Sequence, residues 1–323
     1  MLKVDTEPGQ NSAYTRNVMR PVMRFHGGKF GSNGVLAQSI VSHLPAHDIY
    51  VEPFGGAASV LMLKPPARSE IYNDLWREVT NVFQVLRDPE KAQRLRQALE
   101  LTPYSRLELK DACEPLPWDD PVEQARRTIV RAFMSYSPAG VDPTHHTGLR
   151  VSLRPDRSTA ANDWSSYPEA IPAFTDRLKG VTIECLDALD LISKYDATQA
   201  LFYVDPPYLA ETRGTRHRRV YHHDFSTEAE HDRLADQLLA SNAMVVLSGY
   251  DHPLYRERFN DWTVVRYRST ANARLVLTHI SAGHRGRSRV PCRHGSRSSH
   301  HGGARGLGHG APRTTGTGTP AQR

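Results

Sequence analysis

Short apolar runs alternate with segments of helical period along most of this chain, and no other feature limits its fold as strongly. Ile49-Tyr50-Val51, Ile71-Tyr72, Val181-Thr182-Ile183, Leu201-Phe202-Tyr203-Val204 and Ala243-Met244-Val245-Val246-Leu247 have the length and side chains of buried strands. Between them, residues 33–43 place Leu36, Ile40 and His43 on one helical side. Leu75, Val79, Val82, Phe83 and Leu86 also follow helical spacing. Residues 227–240 form a further expected helix, opened by Thr227-x-x-Glu230 as in a capping box. Residues 264–267 and 275–280 are later strand candidates. Strand and helix in turn predict an α/β domain around a parallel sheet.

Two segments break the pattern. Residues 88–180 are rich in proline and contain one clear amphipathic helix, with Val122, Ala125, Ile129, Val130 and Phe133 on one face. The remainder of that segment reads as polar loop. An inserted small domain with a helical part is therefore expected between 20–87 and 181–282. Residues 283–323 hold 8 Arg, no Lys, Asp or Glu, one Leu, one Val and no aromatic residue. So little apolar surface does not offset the entropy of ordering, and a disordered basic tail is expected. That tail accounts for the net charge of +6, because the rest of the chain has 33 basic residues against 35 acidic ones. Nucleic-acid contacts must come from local patches.

Other classes are disfavoured by what the chain lacks. No stretch approaches the roughly 20 apolar residues of a membrane span. The first 15 residues have no apolar core of a signal peptide. Cys113, Cys185 and Cys292 lie too far apart for a disulfide framework or a C-x-x-C metal knuckle. His145-His146 and His222-His223 lack carboxylates or Cys at ligand spacing, so no metal is expected. A cytoplasmic protein without a membrane partner is the expectation.

Four local motifs carry chemistry. Asp205-Pro206-Pro207-Tyr208 directly follows an apolar strand, where open α/β sheets collect functional groups. The prolines stiffen the backbone, the Asp offers acceptors and the Tyr a flat ring, a set suited to a planar group with an amino donor. Glu52-Pro53-Phe54-Gly55-Gly56-Ala57 runs from a strand through a Gly-Gly turn, where a ligand can approach the backbone closely. It is not G-x-G-x-x-G, so no pyrophosphate is implied. Asn73-Asp74 ends the next strand, where an acid can accept from ribose hydroxyls; Asp74 would serve equally as a helix cap. Gly27-Gly28-Lys29 places a lysine to reach an anionic group, but it is too short for a phosphate-binding loop.

In order and type these motifs resemble the DNA adenine-N6 methyltransferases of the Dam-like class, over about residues 22–268. The resemblance implies a doubly wound Rossmann-like α/β sheet with an inserted, mainly helical target-recognition domain. It implies S-adenosyl-L-methionine as cofactor, held at its methionine part and neighbouring portions by Lys29, Phe54, Gly55, Gly56 and Ala57, with Asp74 on the ribose. Asp187, with Asp190 as its near rival, stands where the family places an acid that reads the cofactor adenine. It makes Asp205, Pro206, Pro207 and Tyr208 the catalytic set and double-stranded DNA the substrate. It leaves open a cognate restriction endonuclease as a further partner. Ser248-Gly249-Tyr250 resembles a late S-G-Y element of phage-type members. The chain departs from the family after that element, where the low-complexity tail follows at once.

The chemistry follows from the groups. The exocyclic nitrogen of adenine is a poor nucleophile, because its lone pair is delocalised into the ring. Acceptors at Asp205 and the Pro206 carbonyl would draw it towards a tetrahedral form, ready for in-line displacement at a methyl sulfonium. Residues 211–223 carry Arg213, Arg216, Arg218 and Arg219 with a single acid, a charge suited to phosphates and equally typical of an exposed loop. Arg126, Arg127, Arg131, Arg150, Arg154 and Arg157 are candidate DNA contacts in the insert. Methylation of cytosine N4 and a catalytically silent DNA-binding protein remain alternatives.

Overall fold

The computed structural model describes residues 20–30, 34–151, 158–209, 225, 227–268 and 273–279, all within one compact unit. The tail at 283–323, the arginines at 213, 216, 218 and 219, and Arg154 and Arg157 lie outside the described residues. Seven strands form one sheet: β1 (Ile49–Glu52), β2 (Ser69–Asn73), β3 (Val181–Glu184), β4 (Ala200–Val204), β5 (Met244–Tyr250), β6 (Thr263–Arg268) and β7 (Ala273–His279). Their order is β3-β2-β1-β4-β5-β7-β6. The first five are parallel, as expected, while β7 runs antiparallel to both β5 and β6. Only residues 269–272 separate β6 from β7. That is too short for the crossover a parallel pair needs, so the two strands must turn back on each other.

Strand alternation sorts the apolar residues onto two faces. Tyr50, Tyr72, Leu201, Tyr203, Met244 and Val246 enter one core. Their sequence neighbours Val51, Ile71, Phe202, Val204, Val245 and Leu247 enter the other. The second face is covered by helices α9 (Ala188–Tyr195), α10 (Glu228–Ala240) and α11 (Pro253–Arg258), which contribute Leu191, Leu234, Leu238 and Tyr255. The first is covered by α1 (Val35–Ser42), α2 (Ser59–Leu63) and α3 (Arg77–Arg87), together with helices from the 88–180 segment. The sheet is therefore doubly wound, and its order reverses between β1 and β4.

Residues 88–180 are mainly helical, as the resemblance implied, although the residue pattern by itself showed only one helix there. They form α4 (Pro89–Glu100), α5 (Arg106–Cys113), α6 (Pro121–Met134), α7 (Ala160–Ser165) and α8 (Ile171–Leu178). The prolines were the misleading signal. Pro89 and Pro121 stand in the first turn of α4 and α6, where proline is favoured, behind Asp88 and Asp120, whose carboxylates cap the free amides. Ser105 and Thr159 cap α5 and α7 in the same way. Leu95, Ile129, Phe133 and Phe174 from these helices share one core with Val79 and Phe83 of α3.

Glu70, near the amino end of β2, anchors this arrangement. It accepts from Lys64 Nζ (2.6 Å) and from both terminal nitrogens of Arg177 in α8 (2.6 and 3.0 Å). All three side chains are buried, so each depends on the others for compensation.

Candidate active site

The reversal between β1 and β4 leaves a crevice at their carboxyl ends, the place where open α/β sheets bind ligands. A cavity of about 320 Å³ lies there, lined by the segment after each of β1, β2, β3 and β4 and by Phe25–Lys29. Of the sequence-predicted residues, Lys29, Phe54, Gly55, Gly56, Ala57, Asp74, Asp187, Asp205, Pro206, Pro207 and Tyr208 all line it. Asp190 does not, which separates it from its rival Asp187.

The glycine turn is fixed from behind. The Gly55 amide donates to the Asn73 carbonyl (2.7 Å), and the Tyr72 hydroxyl donates to the Gly56 carbonyl (2.7 Å). A Cβ on Gly55 would lie 2.7 Å from Tyr72 Cδ2 and 2.8 Å from the Asn73 oxygen. Glycine is thus required at 55 by packing against β2, not by ligand approach. Gly56 has φ +48°, and a Cβ there would meet the Phe25 ring at 3.0 Å. Ala58 also sits in the left-handed region, at φ 53°.

Asp74 lines the cavity, as a ribose acceptor would, but it does not cap α3: the cap position is Trp76, and no side chain caps that helix. One oxygen accepts from the Gly56 amide (2.9 Å), the other from the Trp76 amide ahead of α3 (2.8 Å). Burial pushes the carboxyl pKa up to about 6. Asn73 clamps the neighbouring loops: its amide nitrogen donates to the Pro53 (2.8 Å) and Leu186 (3.0 Å) carbonyls, and its oxygen accepts from the Leu186 amide. Asp187 caps α9 through the Leu189 amide (2.8 Å).

Asp205 is met by three donors of its own chain. Oδ2 pairs with Lys29 Nζ, and Oδ1 accepts from Ser248 Oγ (3.0 Å) and the Tyr208 hydroxyl (3.2 Å). Lys29 is only 3% exposed, and it also donates to Tyr208 (2.9 Å) and the Gly27 carbonyl (3.0 Å). A buried ammonium needs a counter-ion. Lys29 lines the cavity, where the sequence reading expected it, and its ammonium sits on the Asp205 carboxylate. Ser248 reaches Asp205 because β5 continues through Ser248-Gly249-Tyr250, and the pairing of Val204 with Leu247 brings the next residues alongside. The Tyr208 ring packs on Tyr250, with centroids 4.5 Å apart.

Several lining residues were assigned no role from the sequence. Glu52 is 2% exposed and accepts from the Tyr50 hydroxyl (3.1 Å); burial, with Asp205 nearby, pushes its pKa up to about 8. Phe25, Trp76 and Phe225 add aromatic wall. Phe225 packs edge-on to Phe54 at 5.4 Å, and His231 holds its carbonyl (3.2 Å). Only the three-dimensional fold brings these residues to one cleft.

The described insert arginines, Arg126, Arg127, Arg131 and Arg150, are each engaged by groups of their own chain. Arg126 forks onto Glu123 (2.7 and 2.8 Å) and reaches Glu108 (3.1 Å). Arg127 binds Glu123 (2.9 Å) and the Asp111 and Glu114 carbonyls. Arg131 is buried, on Glu78 and the Ala112 and Val141 carbonyls. Arg150 pairs with Asp163 at 3.2 Å. Glu123 stands three and four residues before Arg126 and Arg127 on α6, the spacing at which helical ion pairs form.

The chain matches the model of the D12 class N6 adenine-specific DNA methyltransferases over residues 27–112 and 157–270. The DNA adenine methylase of Salmonella typhi is 26% identical over 253 residues, covering 74% of this chain and 83% of that protein. That of Serratia marcescens is 25% identical over 271 residues, covering 80% and 94%. That of Escherichia coli strain K12 is 24% identical over 254 residues, covering 74% and 83%. A solved rRNA methyltransferase from Streptomyces viridochromogenes aligns over 76% of this chain and 82% of that one, at 10% identity and a TM-score of 0.36, too loose a likeness to argue from. The two matched segments span more than half of the chain and contain every cleft motif, and on that ground this protein belongs to the D12 class of N6 adenine-specific DNA methyltransferases.

Proposed function

We propose that this enzyme transfers a methyl group from S-adenosyl-L-methionine to N6 of adenine in double-stranded DNA, in the cleft between β1 and β4. The observation that carries the reading is the convergence of Asp205, Lys29, Ser248 and Tyr208 on one wall of a cavity whose other wall is Gly55, Gly56 and Asp74. About 320 Å³ falls within the range of small-molecule sites. The donor set suits this cofactor: acceptors for ribose at Asp74, an acceptor for an adenine amino group at Asp187, and aromatic wall at Phe54 and Phe225.

When bound, the cofactor supplies a methyl group on a positively charged sulfur. The protein's part is to prepare and aim the nucleophile. Asp205 and the Pro206 carbonyl accept the two N6 protons and free the lone pair; the entering amino group takes the place of the Lys29 ammonium on Asp205. Ser248 and Tyr208 hold the carboxylate's orientation meanwhile. As the N–C bond forms, the nitrogen gives up one proton to Asp205. The contribution is one of positioning and local electrostatics. Tyr208 is the flat partner for the extruded base, whose unstacking costs a few kcal/mol.

Arg213, Arg216, Arg218 and Arg219 lie outside the described residues, and their charge supports a role on phosphates. Recognition of the target sequence we assign to the insert, whose stretch between 113 and 156 lies outside the family match.

Mass spectrometry of nucleosides from DNA treated with the enzyme tests the reading. N6-methyladenine that disappears with Asp205→Ala supports it. N4-methylcytosine as the main product would overturn the base assignment.

A further inference from the structure

Tyr203 and Ser248 are two buried hydroxyls beside the Asp205 carboxylate, 1% and 2% exposed. Strand register brings them together. Tyr203 of β4 pairs with Val246 of β5, and Val204 with Leu247. Tyr203 and Val246 enter the same core, so the residues two further on, Asp205 and Ser248, face that side as well. The Tyr203 hydroxyl is hydrogen-bonded to Ser248, and Ser248 Oγ lies 3.0 Å from Asp205 Oδ1.

The direction of both bonds follows from what each group can give. A carboxylate paired with the Lys29 ammonium only accepts, so the single Ser248 proton goes to Asp205. The Ser248 oxygen is then left as an acceptor, and Tyr203 is its donor. Burial, with the negative charges of Asp205 and Glu52, holds the Tyr203 phenol well above its ordinary pKa, so it keeps the proton it donates. A serine hydroxyl alone can turn between three staggered positions; a bond on each side holds it in one. Bonds in series also polarise one another, which strengthens the one that reaches the carboxylate.

The relay matters when the ion pair opens. Lys29 holds Oδ2 of Asp205, while Ser248 and Tyr208 hold Oδ1. On the reading of Asp205 given above, the target amino group takes the place of Lys29. Tyr208 must then adjust to the base, whereas Ser248 is anchored in β5 and tied to Tyr203 in β4. Resting on that reading, we propose that Tyr203 is a positioning residue for methyl transfer: it donates to Ser248, Ser248 donates to Asp205 Oδ1, and this two-bond relay sets the plane of the carboxylate towards the target amino group. Tyr203 acts through Ser248 and not on the base or the reacting methyl group.

Single-turnover methyl transfer to unmethylated genomic DNA, at saturating S-adenosyl-L-methionine and on the whole protein, tests this with Tyr203→Phe, Ser248→Ala and the double variant. Tyr203→Phe should lower the rate about tenfold, the scale of one hydrogen bond, while calorimetric affinity for the cofactor stays within twofold. Ser248→Ala should lower the rate at least as far. In the Ser248→Ala background, Tyr203→Phe should cost less than a further twofold, because no serine is left to orient. A tyrosine that merely filled the core would act equally with and without Ser248. Multiplied losses in the double variant, an unchanged rate in Tyr203→Phe, or loss of its cofactor binding would each overturn the relay. An Asp205→Ala enzyme as fast as the parent would overturn the reading of Asp205 itself, whereas an inactive Asp205→Ala beside a fully active Tyr203→Phe would overturn only the relay.

Discussion

Gly55→Ala is the substitution whose consequence the structure fixes most closely. The added Cβ would lie 2.7 Å from Tyr72 Cδ2, nearer still to Cε2, and 2.8 Å from the Asn73 carbonyl oxygen. None of these can yield cheaply. The Tyr72 ring is fully buried, packed at a tilt on Phe83 with centroids 4.1 Å apart, and tied by its hydroxyl to the Gly56 carbonyl. The Asn73 carbonyl belongs to β2 and accepts the Gly55 amide itself. The turn must therefore lift off β2, breaking that bond and displacing the Gly56 amide from Asp74. Overpacking of this kind costs about 1–3 kcal/mol, and contact with backbone puts this case near 3. For a domain of this size that is a fall of roughly 6–12 °C in melting temperature. Cofactor affinity should drop more than tenfold, since the turn and Asp74 move together. Gly180→Ala, where nothing lies within 4 Å, is the control and should change neither quantity. Differential scanning fluorimetry and calorimetry with S-adenosyl-L-methionine measure both. Parental affinity and melting temperature in Gly55→Ala would refute the packing argument.

Four further outcomes are expected. Burial holds Glu52 protonated up to about pH 8 in the folded chain, so its contribution is fully present below the unfolded value of 4.5 and is lost as pH rises towards 8; the loss amounts to about 5 kcal/mol, and Glu52→Gln should flatten it in urea denaturation compared across that window. Asp74, raised to about 6, must be ionised to accept from a ribose, so calorimetric affinity for the cofactor should fall as pH drops below 6, and Asp74→Asn should remove that slope at the expense of affinity. Arg127→Gln should leave DNA affinity within twofold in a gel-shift titration, because its guanidinium is already held by Glu123 and two carbonyls; a larger loss would restore α6 as a DNA surface. Glu70→Ala should cost about 3–5 kcal/mol in chemical denaturation, since it strands Lys64 and Arg177 without their buried counter-ion.

What the sequence determined by itself was the part written in local period and local chemistry. The apolar runs at 49–51, 71–72, 181–183, 201–204 and 243–247 are all strands of the one sheet, and the Thr227 capping box opens α10. These were legible because a strand buried on both faces is apolar throughout, and a helix start needs its own hydrogen-bond acceptor. Three of the four motifs were legible because they stand at strand ends, and a parallel sheet carries all its strand ends to one edge; Gly27-Gly28-Lys29 precedes the first strand and was legible only from its composition. The helices around Pro89 and Pro121 were hidden, because proline breaks a helix in its interior but starts one in its first turn. The contacts of Lys29, Glu52 and Ser248 belong to the tertiary structure alone. A lysine becomes the partner of Asp205, 176 residues away, only when burial forbids it to stay uncompensated. A tyrosine in the middle of an apolar strand looks like core until the fold places Tyr203 in the wall of a cavity. Sequence spacing records which groups a strand end presents. Which of them meet is decided by strand order and register, and those are fixed only when the whole sheet closes.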